Sequence, residues 1–297
     1  MRRSCPLSGP ARHRTAFFKG EGALPNRTMP SHAGGTASSP GLSGSPSPDG
    51  VLAARAAFPA GLEQPEGSFR FSADALLLAA YSTRRSLSNV TNQFVDLGTG
   101  CGIVAHAYML LMGNMTSGWG IDCHPELIEA ASRNARHLGL ANRLRFLCGD
   151  VRDTLFLKAI SNKIGCVDAV LSNPPWRLLG SGRLPADEAR RTALFGDAST
   201  LGAFAAAASS LLRPGGRFFC VVGAHRTADM LAACTGSRLR AASLRFVHKK
   251  EDAPATLALL EARKVSRAAL EVEPPLFLYG PRQVLTPESL EFCPFLR

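Results

Sequence analysis

The sequence predicts an α/β fold built on a doubly wound, seven-stranded, mostly parallel sheet with an antiparallel C-terminal hairpin. Short apolar runs alternate with helical segments, and this pattern indicates right-handed βαβ units. Several of the runs end at glycine, aspartate or asparagine. The last two runs have no helix between them, so we expect them to pair antiparallel. A chain of 297 residues with 45% hydrophobic content can bury the core that such a sheet needs.

Most predicted elements carry a local signal at one end. Ser72 is placed to cap the first helix, while Pro125 and Gly139 bracket the helix after the second strand. Residues 213–216 contain Pro-Gly-Gly and predict a turn before the fifth strand. The predicted strands span residues 94–97, 119–121, 144–148, 167–172, 217–222, 239–247 and 256–262. The predicted helices span residues 73–81, 103–111, 126–138 and 198–212.

Residues 1–66 differ in composition from the rest of the chain. We expect them to form a low-complexity, disordered tail, and residues 67–297 to form the folded domain. Residues 31–50 are dominated by Ser, Gly, Pro and Ala, which cannot bury enough apolar surface to fold. Residues 1–19 are basic, as in some organellar targeting segments. Three interpretations stay open: a disordered tail, a targeting segment, or sequence ahead of a true start at Met29.

Composition also narrows the partners and the compartment. A formal net charge of +11 favours polyanionic partners such as RNA without deciding the substrate. No apolar stretch approaches the ~18 residues of a membrane span, so we expect no membrane partner. The eight cysteines include no CxxC pair, and we expect buried free thiols, no metal and a cytoplasmic location. Five cysteines lie in or beside predicted strands: Cys101, Cys123, Cys148, Cys166 and Cys220.

A glycine-rich segment after the first strand is a candidate nucleotide site. It consists of Gly98, Thr99, Gly100, Cys101 and Gly102, and glycine lets the backbone approach a ligand closely. The spacing is GxGxG rather than GxGxxG, which weakens an interpretation as a nicotinamide-dependent dehydrogenase. The alternative is a tight strand-to-helix turn that binds nothing.

Two aspartates follow the next two predicted strands. Asp122 lies about twenty residues beyond the glycines, a spacing that suits a carboxylate accepting hydrogen bonds from ribose hydroxyls. Asp150 can accept a hydrogen bond from an adenine amino group. Either aspartate could equally be a helix N-cap. Because ligands bind at the carboxyl ends of the strands in doubly wound sheets, we expect the glycines and both aspartates at one crevice.

The segment Asn173-Pro174-Pro175-Trp176 follows the fourth predicted strand and suggests a site for a planar amino group. Pro174 disfavours the helical conformation at Asn173, and two successive prolines stiffen the loop. The Asn173 side-chain oxygen and the Pro174 carbonyl can then act as two fixed acceptors for the two N–H groups of an amine. Trp176 offers a face on which a base can stack. The alternative is a proline-stiffened loop with a core tryptophan.

These motifs resemble those of class I S-adenosylmethionine-dependent methyltransferases that modify amino groups. Within that class, the chain is similar to the bacterial tRNA (adenine-N6) methyltransferases that act on A37 of valine tRNA. Trp176 stands where tyrosine is commoner, and Asp122 stands where glutamate often occurs and therefore has a shorter reach. The matching segments are residues 69–78, 95–104, 149–150, 171–176, 211–218, 245–264 and 274–276.

The resemblance implies a Rossmann-like methyltransferase fold, S-adenosylmethionine as the cofactor and tRNA as the substrate. Transfer would be an in-line displacement that needs alignment of the reacting atoms, but no metal or general base. The implied cofactor-binding residues are Phe71, Asp74, Asp96, Gly98, Thr99, Gly100, Gly102, Asp122, Asp150 and Asn173. The implied catalytic residues are Asn173, Pro174, Pro175 and Trp176. Helix packing and capping are alternative roles for Phe71 and Asp74.

Other functions share these motifs. A protein glutamine amide carries the same pair of N–H donors, although enzymes of that kind usually have a helical domain where this chain is low in complexity. Guanine-N2 methylation of RNA is a further alternative. A non-catalytic RNA-binding protein could keep the fold, but its glycine and Asn-Pro-Pro motifs would not be expected to stay intact.

Two basic groups and one histidine complete the candidates. The basic groups either contact phosphate or form a solvated face. His106 is interpreted as a packed or partly exposed histidine rather than a catalytic one. The basic residues are Arg177, Arg183, Arg190 and Arg191 in the first group, and Arg238, Arg240, Arg245, Lys249 and Lys250 in the second.

Overall fold

A computed structural model describes residues 47–66, 68, 71–86, 92–175 and 198–296. Helices and strands alternate along these residues as the sequence predicts. The helices are α1 (Pro48–Ala57), α2 (Ala73–Arg85), α3 (Ile103–Met112), α4 (Pro125–His137), α5 (Thr154–Ile164), α6 (Ala198–Leu211), α7 (Thr227–Gly236) and α8 (Pro287–Phe292). The strands are β1 (Asn92–Leu97), β2 (Thr116–Asp122), β3 (Leu144–Cys148), β4 (Val167–Ser172), β5 (Leu212–Gly223), β6 (Leu239–His248), β7 (Ala255–Lys264), β8 (Glu271–Val272) and β9 (Leu276–Phe277).

The strands form one sheet in the order β3-β2-β1-β4-β5-β7-β6-β8, with β9 also paired to β6. Strands β1 to β5 pair in parallel, whereas β7 is antiparallel to both β5 and β6. The predicted fold class is therefore confirmed. The sheet has nine strands rather than seven, because two short strands, β8 and β9, extend its edge beside β6.

The order of the strands positions a crevice at the carboxyl ends of β1 and β4. The chain moves outward from β1 to β2 and β3, then returns to β4 on the other side of β1. The connections after β1 and β4 therefore diverge from neighbouring strand ends, which is where doubly wound sheets bind their ligands.

Apolar side chains fill both faces of the sheet. Because side chains alternate along a strand, Phe94 and Val95 of β1 belong to different core clusters. The first cluster contains the buried residues of α1 to α3, and the second contains those of α5 to α7. Both faces of the central strands are covered, which is why these strands carry apolar residues on both faces. No helix in the described part of the chain combines the length and the apolar character needed to cross a membrane.

Residues 47–66 differ from the prediction of a tail that continues to residue 66. Ser47 caps α1 by accepting a hydrogen bond from the Gly50 N–H at 3.1 Å, and Pro48 occupies the first turn. Phe58 and Leu62 are buried in the first core cluster. The Ser and Pro that resemble a disordered composition are here the start signal of a helix. Residues 1–46 lie outside the described residues, where the tail stays a prediction.

The turn predicted at residues 213–216 is an irregularity within a longer strand. Strand β5 already pairs with β4 at Leu212, and regular pairing resumes between Arg217 and Ala169. Gly215 has a φ of +76°, which suits glycine at this bulge. Helices α1, α5, α7 and α8 were not among the predicted helices.

Candidate cofactor and acceptor site

The glycine loop joins β1 to α3 and depends on its glycines for its conformation. Gly98, Gly100 and Gly102 have φ values of +69°, +57° and +87°, in the region that favours glycine. Space is also restricted, because a Cβ on Gly102 would lie 2.4 Å from the imidazole of His106. A Cβ on Gly98 would lie 3.1 Å from the Phe204 ring. The predicted glycine-dependent turn is present, with its backbone close to neighbouring rings.

Asp96 supports this loop from within the sheet. Its side chain accepts a hydrogen bond from the Thr99 hydroxyl at 2.6 Å. The residue is 1% exposed, so in this conformation it fixes the loop and does not reach into a ligand site. Burial, together with the nearby charge of Asp122, raises the pKa of Asp96 to about 7.

Asp122 connects the end of β2 to the glycine loop. One carboxylate oxygen accepts a hydrogen bond from the Gly100 N–H at 2.9 Å. The other accepts from the His124 backbone N–H at 3.0 Å and lies 2.9 Å from His124 Nδ1. The carboxylate is therefore held against the loop at the predicted position. His124 is a residue of this site that the sequence analysis missed, because no spacing rule singles it out.

Asp150 follows β3 beside the Asp122 position, since the Gly149 N–H donates to the Asp122 carbonyl at 2.8 Å. Its carboxylate is engaged by Arg152, whose Nη2 lies 2.7 Å and whose Nε lies 3.0 Å from it. These hydrogen bonds lower the pKa of Asp150. A role with adenine therefore requires the carboxylate to share its acceptor sites with Arg152.

Asn134 of α4 ties the glycine loop to the N-terminal segment. Its amide nitrogen donates to the Cys101 carbonyl at 3.1 Å and to the Glu63 carbonyl at 3.0 Å. Its oxygen accepts from the Glu63 N–H at 2.8 Å. Arg133 forms an ion pair with the Glu63 carboxylate at 2.6 Å. Asn134 is 2% exposed, and the sequence analysis missed it because its three partners are distant in the chain.

Asn173 lies next to the glycine loop because of the β1–β4 register. Leu97 pairs with Ser172, and the Ser172 hydroxyl donates to the Leu97 carbonyl at 3.0 Å. Gly98 and Asn173, the first residues after β1 and β4, therefore start from neighbouring positions. Asn173 and Pro175 are half-buried, whereas Pro174 is buried. Trp176 lies outside the described residues.

Phe71 and Asp74 belong to the start of α2. Asp74 accepts hydrogen bonds from the Ser72 hydroxyl and from the Ala75 N–H, at 3.1 Å for the latter. Phe71 packs against the first core cluster. These contacts lie within the core and the first turn of α2, where Ser72 occupies the N-cap position that the sequence predicts but makes no side-chain capping hydrogen bond to a described residue. His106 is fully buried and packs on Phe146 at 5.5 Å between ring centroids, and burial lowers its pKa to about 4.

The second basic group does not form one surface. The Arg245 guanidinium pairs with Glu288 at 2.6 Å and stacks on the Phe292 ring at 4.9 Å. Arg240 donates to the Ala268 carbonyl at 2.8 Å. These two arginines therefore hold the C-terminal segment. Of the remaining members, Arg238 precedes β6, while Lys249 and Lys250 follow it. The first basic group, Arg177, Arg183, Arg190 and Arg191, lies outside the described residues.

The expectation of buried thiols is correct for only some of the predicted cysteines. Cys101 and Cys220 are buried, whereas Cys123, Cys148 and Cys166 are exposed free thiols. All three exposed cysteines lie just beyond a strand end or at one, where the side chain is no longer covered by helices.

The sheet order and the loop after β1 define a Rossmann-like methyltransferase fold. Residues 88–250 match the model of a family described as a methyltransferase domain. The chain belongs to this family and is a class I S-adenosylmethionine-dependent methyltransferase.

Curated relatives divide between RNA and protein substrates. One is a tRNA1(Val) (adenine(37)-N6)-methyltransferase of Porphyromonas gingivalis, 26% identical over 69% of this chain and 75% of the relative. Another is a release factor glutamine methyltransferase of Nitratidesulfovibrio vulgaris, 33% identical over 50% of this chain. The chain matches 51% of the length of that second relative.

A solved structure supports the fold. It is a predicted O-methyltransferase from Agrobacterium tumefaciens, with a TM-score of 0.59 and 21% identity. The superposition covers 75% of this chain and 96% of the other.

Proposed function

We propose that the enzyme methylates the N6 amino group of an adenine in tRNA, with the acceptor held at Asn173 and Pro174. The observation that carries the proposal is the pairing of Leu97 with Ser172. This pairing sets the first residue of the glycine loop beside the first residue of the acceptor loop. A cofactor bound along one loop and an amine bound at the other would then meet at a single crevice.

The residues present fit S-adenosylmethionine. The glycine loop offers a backbone surface without side chains at Gly98, Gly100 and Gly102, as a nucleoside cofactor requires. Asp122 provides a carboxylate for the ribose hydroxyls, and Asp150 an acceptor for the adenine amino group. Asp96 and Thr99 act indirectly, since their mutual hydrogen bond supports the loop.

Phe71 and Asp74 remain candidate cofactor-binding residues at the start of α2. Their described contacts are helix packing for Phe71 and hydrogen bonds within the first turn for Asp74. If they also contact the cofactor, they do so from the face of the sheet that α2 covers.

The main task of the protein in this reaction is to align the substrate amine with the methyl group of the cofactor. The bound cofactor supplies a methyl group already activated on a sulfonium. The Asn173 side-chain oxygen and the Pro174 carbonyl accept the two N–H groups of the substrate amine, which turns its lone pair toward the methyl group. The alkylated amine is strongly acidic and loses its proton to water, so this proposal needs no general base. Pro175 stiffens the loop, and Trp176 supplies a stacking face for the base.

Two observations favour tRNA over a protein substrate. The match to the tRNA methyltransferase extends over 206 residues, against 157 residues for the glutamine methyltransferase. The net charge of +11 also suits a polyanion. Methylation of a protein glutamine is the second candidate, because an amide presents the same two donors to Asn173 and Pro174.

The test compares Asn173→Ala with the wild-type enzyme. Removal of one fixed acceptor should lower the methylation rate by about 100-fold or more, by analogy with the loss of one hydrogen-bonding group from an active site. S-Adenosylmethionine binding, measured by calorimetry, should persist. Asn162→Ala, on the exposed surface of α5, is the matched control and should leave the rate unchanged.

The substrate is tested separately. Mass spectrometry of nucleosides from tRNA incubated with enzyme and cofactor should reveal N6-methyladenosine. A new N2-methylguanosine, or a methylated glutamine in a release factor with unchanged tRNA, would replace the adenine assignment. Cofactor binding without any methylated product would indicate an RNA-binding protein that has kept the fold. An unimpaired rate in Asn173→Ala would overturn the acceptor site itself.

A further inference from the structure

Side chains that commonly bind transition metals converge where β2 and β3 end. Asp122, Cys123 and His124 are consecutive, and their oxygen, sulfur and nitrogen ligand atoms all lie within 4.8 Å of one another. Consecutive residues rarely direct three side chains to one point. Here the strand ends at Asp122 and the chain turns before α4, so the three side chains can gather on one side.

The separations suit a tetrahedral ion. Zn–S and Zn–N bonds of about 2.3 and 2.05 Å at the tetrahedral angle set sulfur and nitrogen about 3.6 Å apart. Cys123 Sγ and His124 Nδ1 are 3.5 Å apart. His124 Nδ1 and Asp122 Oδ1 are 2.9 Å apart, as a hydrogen-bonded pair, and need to separate by a few tenths of an ångström.

The neighbouring strand offers a fourth ligand, Cys148, whose sulfur lies outside the group of three and has to turn toward it to complete the site. Cys148 is the last residue of β3 and pairs in register with Asp122. Its Sγ lies 3.7 Å from the Cys123 carbonyl oxygen, and both thiols are exposed. The two cysteines are 25 residues apart in the chain, so the pairing of β2 with β3 brings them together. A search for CxxC spacing therefore does not find this pair of cysteines.

Charge around the thiols also favours a cation. The carboxylates of Asp122 and Asp150 lie at or just beyond the neighbouring ends of β2 and β3, where the Gly149 N–H donates to the Asp122 carbonyl at 2.8 Å. Their negative potential stabilises a divalent ion at the same place. Arg152 opposes this effect, but its guanidinium is paired with Asp150.

We propose that Asp122, Cys123, His124 and Cys148 bind a thiophilic divalent cation such as Zn²⁺, and that this ion excludes S-adenosylmethionine. Both metal and cofactor need the Asp122 carboxylate, so each weakens the binding of the other. The exclusion rests on the proposed ribose-binding role of Asp122, whereas the metal site itself does not. Zinc binding would release protons from the thiols.

The metal site is tested with Zn²⁺ alone on the metal-free full-length protein. A chromogenic chelator should report one tightly bound ion per chain. Replacement by Co²⁺ should give thiolate-to-metal charge-transfer absorption. Cys123→Ser and Cys148→Ser should each weaken binding by about 100-fold, since the loss of a ligand costs at least as much as the loss of its supporting partner.

Cys166→Ser is the matched control. Cys166 is an exposed thiol at the amino end of β4, whereas the proposed ligands lie at the carboxyl ends of β2 and β3. This variant should bind Zn²⁺ as the wild type does. Equal zinc affinity in the wild type, Cys123→Ser and Cys148→Ser would overturn the site. Loss of binding in Cys166→Ser to the same degree would overturn it as well, by indicating nonspecific thiol binding.

Competition is tested by titrating S-adenosylmethionine with and without saturating Zn²⁺. The apparent cofactor affinity of the wild type should fall in the presence of zinc, while that of Cys123→Ser should not respond. Unchanged cofactor affinity in zinc-loaded wild type would overturn the exclusion. These measurements contain no RNA, so a wrong assignment of the methyl acceptor leaves their outcome unaffected.

Discussion

Two regions of the sheet each bury a carboxylate, but only one of them pairs it with cations. Asp96, under the glycine loop, is 1% exposed, and no cation in the described part of the chain pairs with it. Glu261, in the antiparallel region, is fully buried but faces Arg263 at 2.6 Å and Arg217 at 3.8 Å. Arg85 completes the group around Glu261. Both carboxylates are buried on strands of the same sheet. Any difference between their pKa values therefore comes from the neighbouring charges and not from the degree of burial.

The pKa values follow from these surroundings. Burial raises the pKa of Asp96 to about 7. Burial also acts to raise the pKa of Glu261, but hydrogen bonds from Arg263 and Arg85 outweigh it and lower the pKa. In the antiparallel region the buried carboxylate of Glu261 is neutralised by arginines. In the loop region the carboxyl of Asp96 has no such partner among the described residues and is only partly ionised at neutral pH. The comparison teaches that the stable scaffold and the candidate site differ in how fully their buried charges are neutralised.

The largest expected effect is that of Glu261→Gln. This change leaves three arginines without their shared carboxylate and should lower the free energy of unfolding by about 3–5 kcal/mol. Denaturant unfolding measures the loss. Cofactor affinity per folded molecule should stay the same, because the cluster is remote from the glycine loop in the sheet order. Glu271→Gln, a largely exposed carboxylate 3.9 Å from Arg85, should cost less than about 0.5 kcal/mol. A similar loss in both variants would contradict the comparison.

A smaller effect is expected for Asn134→Ala in the loop region. The change leaves the Cys101 carbonyl and the Glu63 backbone groups without this partner and should cost about 2 kcal/mol. S-Adenosylmethionine should also bind about 10-fold more weakly, because cofactor binding must then supply part of the order of the loop. Calorimetry measures both quantities. Asn142→Ala, exposed in the turn after α4, is the control. Lower stability with unchanged cofactor affinity would mean that Asn134 stabilises the fold but does not order the cofactor loop.

The smallest effect concerns the pH dependence introduced by Asp96. Its raised pKa means that the folded protein keeps a proton that the unfolded chain loses above about pH 4. The contribution of Asp96 to stability is therefore full below that pH and is lost as the pH rises through 7, by about 1 kcal/mol between pH 6 and 7. Asp96→Asn should remove this decline, as measured by unfolding at several pH values. Asp252→Asn, at an exposed carboxylate, should preserve it. An identical pH profile in Asp96→Asn and the wild type would mean that Asp96 is ionised in the folded state.

The parallel part of the fold could be predicted because its signals are local. The predicted bounds of β3 and β4 agree with the structure, and the glycine loop lies where the motif indicates. Helix α1 was missed because its start signal, Ser47 followed by Pro48, also occurs in low-complexity sequence. In each of these cases a few adjacent residues carry the information.

Contacts between distant segments could not be predicted in the same way. Asn134 joins residues 63 and 101, and Arg245 reaches Glu288 and Phe292. An arginine in a basic run carries no mark that distinguishes a buried ion pair from an exposed phosphate contact. The sequence predicted only that β1 and β4 end at the same crevice. The residue-by-residue register, with Leu97 opposite Ser172, comes from the structure.

The short strands beside β6 have a consequence for self-association. A sheet that ends in a long open strand invites another chain to extend it. Here β8 and β9 cover that margin and are separated by Pro274 and Pro275, which have no N–H to donate. At the opposite margin, β3 is only five residues long and presents the exposed Arg145. Neither border of the described sheet offers a long open strand, which disfavours extension of the sheet by another chain.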